Sequence, residues 1–185
     1  MRSWIGKIIG GLVGLVLGAI ALGFVLPSHV HVERDAVIDA PPATVFAWVS
    51  DFNRWDAWSP WATKDPEASM SITGTGVGQT MTWQSDNPEV GAGSQTIVEL
   101  AENRSMKTHL EFGDRGRADA TFTLQPENGK THVTWSLDTD MREGVPVLQQ
   151  PLSTYFGFFM DAMMGPEYET GLRQLQETIK AESVT

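Results

Sequence analysis

At 185 residues the chain has room for one domain plus an appendage. It has no cysteine, which excludes disulfides and thiolate metal sites. A formal charge of −10 repels phosphate backbones, so nucleic acid is excluded as a natural partner.

The appendage comes first. Ile8 to Leu26 is a run of 19 residues without a charge, rich in Leu, Ile, Val, Ala and Gly. As a helix at about 1.5 Å per residue it would span roughly 28 Å, close to the hydrocarbon thickness of a bilayer. Arg2 and Lys7 precede it and Pro27 closes it, which predicts a cytoplasmic N-terminus with the rest of the chain across the membrane. A cleaved signal peptide is the rival reading, with Ala19-Ile20-Ala21 as its cleavage site. The apolar run continues past that site through Leu26, and it is longer than a usual signal core, so an uncleaved anchor over residues 1–27 is expected. Gly6, Gly10, Gly14 and Gly18 recur every four residues along one side of it, the spacing that lets two such helices approach as a homodimer. The expected location is a bacterial inner membrane, crossed once, with residues 28–185 facing the periplasm or the exterior.

Beyond Pro27, "HVHVERDAVIDA" alternates and predicts a strand. In "PPATVFAWVSDF" the period changes: Val45, Trp48, Val49 and Phe52 fall at helical spacing behind paired prolines. A second short helix is predicted over "NRWDAW", stopped by Pro60, with "SPWATKDPEA" as a loop. Six strands follow at period two: "SMSIT", "QTMTWQ", "SQTIVEL", "SMKTHLEF", "ADATFTLQ" and "THVTWSLDT". Their connections, among them "DNPEVGAG" and the Asn128-Gly129 turn, are too short for parallel crossovers, so an antiparallel meander is expected. Helical spacing returns at the end in two stripes. Leu152, Tyr155, Phe159 and Met163 form the first; Tyr168, Leu172, Leu175 and Ile179 form the second, with a kink or break expected at Gly165-Pro166 between them.

This order, with the stretches "VIDAPPATVFAWVSDFNRWDAWSPW", "GVGQTMTW", "ATFTLQPENGKTHVTW" and "GPEYETGLRQLQETI", resembles the START-like or SRPBCC superfamily, and within it the polyketide cyclase/dehydrase and lipid-transport family. The resemblance covers most of residues 30 to 182. It implies an α+β helix-grip fold, in which a curved sheet wraps the C-terminal helix around an apolar cavity. Members bind lipids, sterols, polyketides or other apolar molecules, and a minority are enzymes, so the fold alone does not decide the function. The expected function is a membrane-anchored module that binds or transfers an apolar small molecule. A cyclase or dehydratase acting in the same cavity is the alternative.

The candidate contacts come from alternation. Met81 with Trp83, Phe122 with its neighbours, and Trp135 lie on apolar strand faces; Tyr155, Phe159 and Met163 are the helix residues expected opposite them. The Met-rich segment "YFGFFMDAMM" suits either a buried helix or an adaptable ligand wall. Trp55 and Trp58 are expected to pack toward the sheet, and Trp61 to reach toward a cavity mouth. "GTGVGQT" has neither a lysine nor a following helix and reads as a turn; no cofactor is implied. His29 and His31 share a face without a carboxylate at ligand spacing, so no metal site is predicted. His109 and Glu111 share a face opposite Leu110 and Phe112, and alternation turns them outward.

Overall fold

The computed structural model describes residues 2–65, 67–88 and 90–183. Pro66 of the predicted loop, Glu89 of the predicted turn and the last two residues lie outside the described residues. The helices are α1 (Arg2–Val25), α2 (Pro42–Val49), α3 (Gln150–Gly157) and α4 (Met160–Glu182). The strands are β1 (His29–Ile38), β2 (Ser69–Thr73), β3 (Thr80–Gln84), β4 (Ala92–Ala101), β5 (Ser105–Glu111), β6 (Arg117–Glu127) and β7 (Lys130–Asp140). They form one antiparallel sheet in the order β1-β7-β6-β5-β4-β3-β2.

The six predicted strands are the six consecutive neighbours, and β1 closes the sheet by pairing with β7 along its whole length. The meander follows from short turns. Asn128 and Gly129 both take positive φ, 50° and 84°, the conformation a tight hairpin turn requires. The predicted second short helix is a 3₁₀ turn, Phe52–Ala57, and a further 3₁₀ turn, Pro60–Thr63, falls in the stretch predicted as a loop, after Trp58 and Ser59. Asp51 caps the first by accepting from the Asn53 backbone. Gln79, fully buried at the end of the "GTGVGQT" turn, accepts from Phe52 N at 2.9 Å and donates to Asp51 at 2.8 Å. That stretch is thus a structural turn that locks the 3₁₀ segment to the sheet.

The C-terminal helical region breaks in a different place from the one predicted. α4 runs through Gly165 and Pro166, and the break falls at Phe158–Phe159. Proline clashes with the Cβ of the residue before it, and glycine has none, so Gly165 lets the helix pass. The same glycine admits Arg34: a Cβ there would lie 1.9 Å from the Arg34 guanidinium. Arg34 sits on the inward face of β1 with Val32 and Ala36, and it reaches Asp161 at 2.9 Å and Glu169 at 2.8 Å. This fork clamps α4 across β1. The second predicted stripe, Tyr168, Leu172, Leu175 and Ile179, is fully buried against the sheet.

α1 stands apart from this core. Gly6–Val25 is a helix long and apolar enough to cross a membrane, and almost all of it is exposed. Its last turns nevertheless dock on α3. Gly23 lies against Pro151, where a Cβ would come within 2.7 Å of the proline Cβ, and the Tyr155 hydroxyl donates to Ala19 O at 2.7 Å. Arg142 donates to Gly23 O at 3.0 Å and to Leu26 O at 2.5 Å, covering carbonyls that the helix end leaves unpaired.

Candidate functional site

Between the sheet and α4 the structure builds a stack of rings. Antiparallel register pairs Phe122 of β6 with Trp135 of β7, and their rings stack at 4.6 Å. α4 lays Tyr168 on Trp135 at 3.9 Å, with 7° between the planes. One turn on, Gly171 touches the indole edge: a Cβ would lie 2.7 Å from Trp135 Cζ3. The 3₁₀ segment supplies Trp55 and Trp58, which meet Phe122 and Trp135 edge-on at 5.7–6.2 Å. Such edge and offset contacts are the favoured geometries for aromatic quadrupoles. The spacing of tryptophans in "FNRWDAWSPW" is thereby explained. Trp55 and Trp58 are core, while Trp61 is half-buried at the margin, edge-on to Trp135 and Tyr168.

Polar groups inside are few. Gln95, 5% exposed, donates to the hydroxyl of fully buried Thr108, which donates on to Ala120 O. Among the described residues, Tyr168 is the one titratable side chain in the buried core; burial, with Asp138 nearby, pushes its phenol well above the usual range. The indole N–H groups of Trp58 and Trp135 are buried and make no hydrogen bond, so two donors face the interior unpaired. Around the packed centre lies a margin of half-buried apolar side chains: Trp61, Trp83, Leu110, Phe112, Met160 and Met164. Lys64 and Glu167, at 2.6 Å, tie the second 3₁₀ turn to α4 beside it.

The structure brings together some of the sequence-predicted contacts and disperses others. Met81, Phe122 and Trp135 lie in the buried core, and Trp83 is half-buried, edge-on to Phe112 at 6.0 Å. Tyr155, Phe159 and Met163 do not face them. Tyr155 is bonded to α1, and Phe159 and Met163 are 62% and 49% exposed. Tyr168, which the sequence placed in a packing stripe, is the helix residue that meets Trp135. Its spacing was readable; its stacking partner was not. Arg34 and the Gln95–Thr108 pair carried no sequence signal beyond their inward register.

His109 lies on the outer face as expected, 2.8 Å from Asp119, with Lys107 on the same carboxylate at 2.7 Å. His29 and His31 reach Asp140 and Asp138 across the β1–β7 edge. Among the described residues no cluster of three or more His, Asp or Glu has metal-holding geometry.

A fold of this kind, with an apolar and aromatic interior under a C-terminal helix, defines a class of hydrophobic-ligand-binding domains. The family model for polyketide cyclase/dehydrase and lipid transport matches residues 29–180, and the chain belongs to that family. No curated protein matches the sequence significantly. Among solved structures, a Staphylococcus aureus protein of unknown function is similar with a TM-score of 0.61 at 12% identity, covering 87% of this chain and 99% of its own. A Thermus thermophilus protein is similar with a TM-score of 0.57 at 19% identity, covering 83% and 99%. DynU16, a protein of the dynemicin biosynthetic locus, has a TM-score of 0.56 at 14% identity, covering 81% of this chain and 47% of its own. At these identities the likeness is one of fold.

Proposed function

We propose that the chain is a membrane-anchored, non-catalytic module that holds or transfers an apolar small molecule, a lipid, sterol or polyketide-like compound, between its sheet and α4. The observation that carries this reading is the chemistry of the interior: apolar and aromatic walls with one neutral polar pair, Gln95–Thr108, and two free indole donors. Such a lining holds an apolar molecule and orients one polar group of it. The centre is packed, so a ligand enters by parting the half-buried margin. Met160 and Met164 suit that movement because unbranched side chains repack at little cost. Of the sequence-predicted contacts, Met81, Trp83, Phe122 and Trp135 are the ones this route would expose.

A cyclase or dehydratase needs an acid or base near the ligand with a pKa close to the working pH. Tyr168, the titratable group in the core, is displaced in the opposite direction. That favours holding over catalysis.

α1 serves as the uncleaved anchor of a bacterial inner membrane protein. A helix with this much exposed apolar surface is at home in lipid, and its joint to Arg142 and Tyr155 makes it part of the folded domain. Lys7 on its N-terminal side favours a periplasmic domain. Two copies pair through Gly6, Gly10, Gly14 and Gly18, along which nothing lies within 4 Å of the added Cβ positions.

The test is native mass spectrometry of the full chain released from lipid nanodiscs. One retained apolar adduct per chain is expected, and Trp135→Ala should lose it. A chain that retains none, from nanodiscs loaded with total membrane lipid, would leave the domain a packed scaffold and end the binding reading.

A further inference from the structure

The strongest feature outside the interior is a continuous apolar surface beside the anchor. From Gly144 to Met160 there is no charged residue, in a chain where 19% of residues are charged. This stretch contains α3, and its large side chains are turned out: Leu148 is 95% exposed, Leu152 75%, and Phe158 and Phe159 about as exposed as Val147. Elsewhere in the domain, exposed large apolar residues occur singly, as at Val37, Met70, Val77 and Val98. A patch of this extent needs a covering medium.

The docking of α3 on α1 fixes what that medium is. Tyr155 bonds to Ala19 O, six residues before Val25, which at about 1.5 Å per residue puts the contact roughly 9 Å inside the end of the span. Leu152 and Tyr155 also flank a recess of about 240 Å³ whose other wall includes Leu15 and Val16, deeper still. Sliding the helix outward cannot lift this contact clear of the lipid. The uncharged run is only about 28 Å long against a hydrocarbon core of about 30 Å, so all of it is needed to cross.

We propose that α3 and its flanks, Val147 to Phe159, are embedded in the leaflet on the domain side of the same membrane, so that the domain lies against the bilayer and does not hang from it. The inference rests on α1 being a membrane anchor. Phe156, Phe158 and Phe159 then occupy the acyl boundary, and the recess between α1 and α3 takes a lipid chain. Asp161, at one end of the run, is held by Arg34; at the other end Glu143 lies 4.0 Å from Arg117, and Arg142 is held by the α1 carbonyls. Met160 and Met164, at the start of α4, come to lie where the embedded segment meets the domain, which gives an apolar ligand a path from lipid to the interior margin without crossing water.

The chain has no cysteine, so single-cysteine variants label uniquely. Leu15→Cys, Leu152→Cys, Phe158→Cys and Glu127→Cys of the full chain are labelled with an environment-sensitive fluorophore in vesicles of phosphatidylcholine and phosphatidylglycerol containing nitroxide lipids. Glu127 lies at the far end of β6 and β7, about 33 Å along the strands. Strong quenching at 15, 152 and 158, with none at 127, is expected. Quenching at 15 alone overturns the embedding and leaves the anchor standing. No quenching at 15 overturns the anchor, and the embedding with it. Blue-shifted but unquenched labels at 152 and 158, changing with protein density, mean that a second copy covers the patch, which also overturns the inference.

Discussion

Phe122→Ala and Phe159→Ala each delete one phenyl ring, but from opposite environments. Phe122 is 1% exposed, stacked on Trp135 at 4.6 Å and met edge-on by Trp55 and Trp58 at 6.2 and 6.0 Å. Fully burying a Phe contributes about 1.5–3 kcal/mol by transfer alone. Deleting a packed ring also leaves a cavity, which brings the usual cost to about 3–5 kcal/mol. Phe159 is 62% exposed in the fold, so deleting its ring opens no cavity, and because its segment stays in lipid when the core unfolds the cost stays within about 0.5 kcal/mol. For a domain of this size about 1 kcal/mol moves the melting temperature by roughly 2–4 °C, so Phe122→Ala should fall by about 6–20 °C and Phe159→Ala by about 2 °C or less. Thermal and urea unfolding of the full chain in nanodiscs, followed by tryptophan emission, reads both. A loss below about 1 kcal/mol at Phe122 would mean a ring with few partners, and hence an interior already hollow, refuting the packed stack. Equal losses at the two sites would refute the assignment of Phe159 to the outside.

Arg142→Ala should loosen α1 from the domain, leaving the Tyr155 bond and the Pro151 contact, because it deletes the donors to Gly23 O and Leu26 O and the contact with Thr154. Spin-label distances between Leu12→Cys and Glu127→Cys should broaden, and an unchanged distribution would rule out Arg142 as the joint. His31 titrates above its ordinary 6.5, chiefly through its hydrogen bond to Asp138 at 2.7 Å, opposed by desolvation and aided by Glu33. Folding therefore favours its protonated form: the stabilisation is complete below about pH 6.5 and is lost as pH rises through the raised value. The pair is half exposed, so the amplitude is at most about 1 kcal/mol, read as the change in urea midpoint between about pH 5.5 and about pH 8.5 that wild type shows and His31→Asn lacks. An identical pH response in the two proteins would remove His31 from that role. In the anchor, Gly10→Ile with Gly14→Ile should weaken self-association in a transmembrane reporter assay, and an unchanged signal would dismiss the glycine face.

The sheet was legible because antiparallel strands with one buried face write their register as alternation, and Gly-, Asn- and Asp-bearing turns punctuate them. β1 shows the limit of that rule. Alternation turns Arg34 inward beside Val32 and Ala36, where a charge looks misplaced until Asp161 and Glu169 arrive from α4, 127 and 135 residues away. The helix break was misplaced for a similar reason. Gly165-Pro166 reads as punctuation locally, yet the glycine admits Arg34, and it removes one of the clashes that a proline brings to a helix. Ring stacking was beyond reach as well. Trp135 and Tyr168 belong to distant elements, and only the lie of α4 across the sheet makes them neighbours.

The two apolar stripes of the C-terminal region illustrate what helical spacing can and cannot say. Leu152, Tyr155, Phe159 and Met163 follow the same spacing as Tyr168, Leu172, Leu175 and Ile179, yet only the second stripe is buried in protein. Periodicity identifies a face that leaves water; it does not name the medium that the face enters. The distinction lies in the opposite face. Around the second stripe stand Glu169, Arg173, Glu177 and Lys180, as a helix between core and water requires. Around the first there is no charge until Asp161, and Phe156 and Phe158 carry the apolar surface round the helix. An uncharged helix that turns large apolar side chains outward in the fold is matched to lipid, not to a sheet. The anchor and the stripe are then one signal in two parts, joined in space where Gly23 meets Pro151, 128 residues on in the sequence.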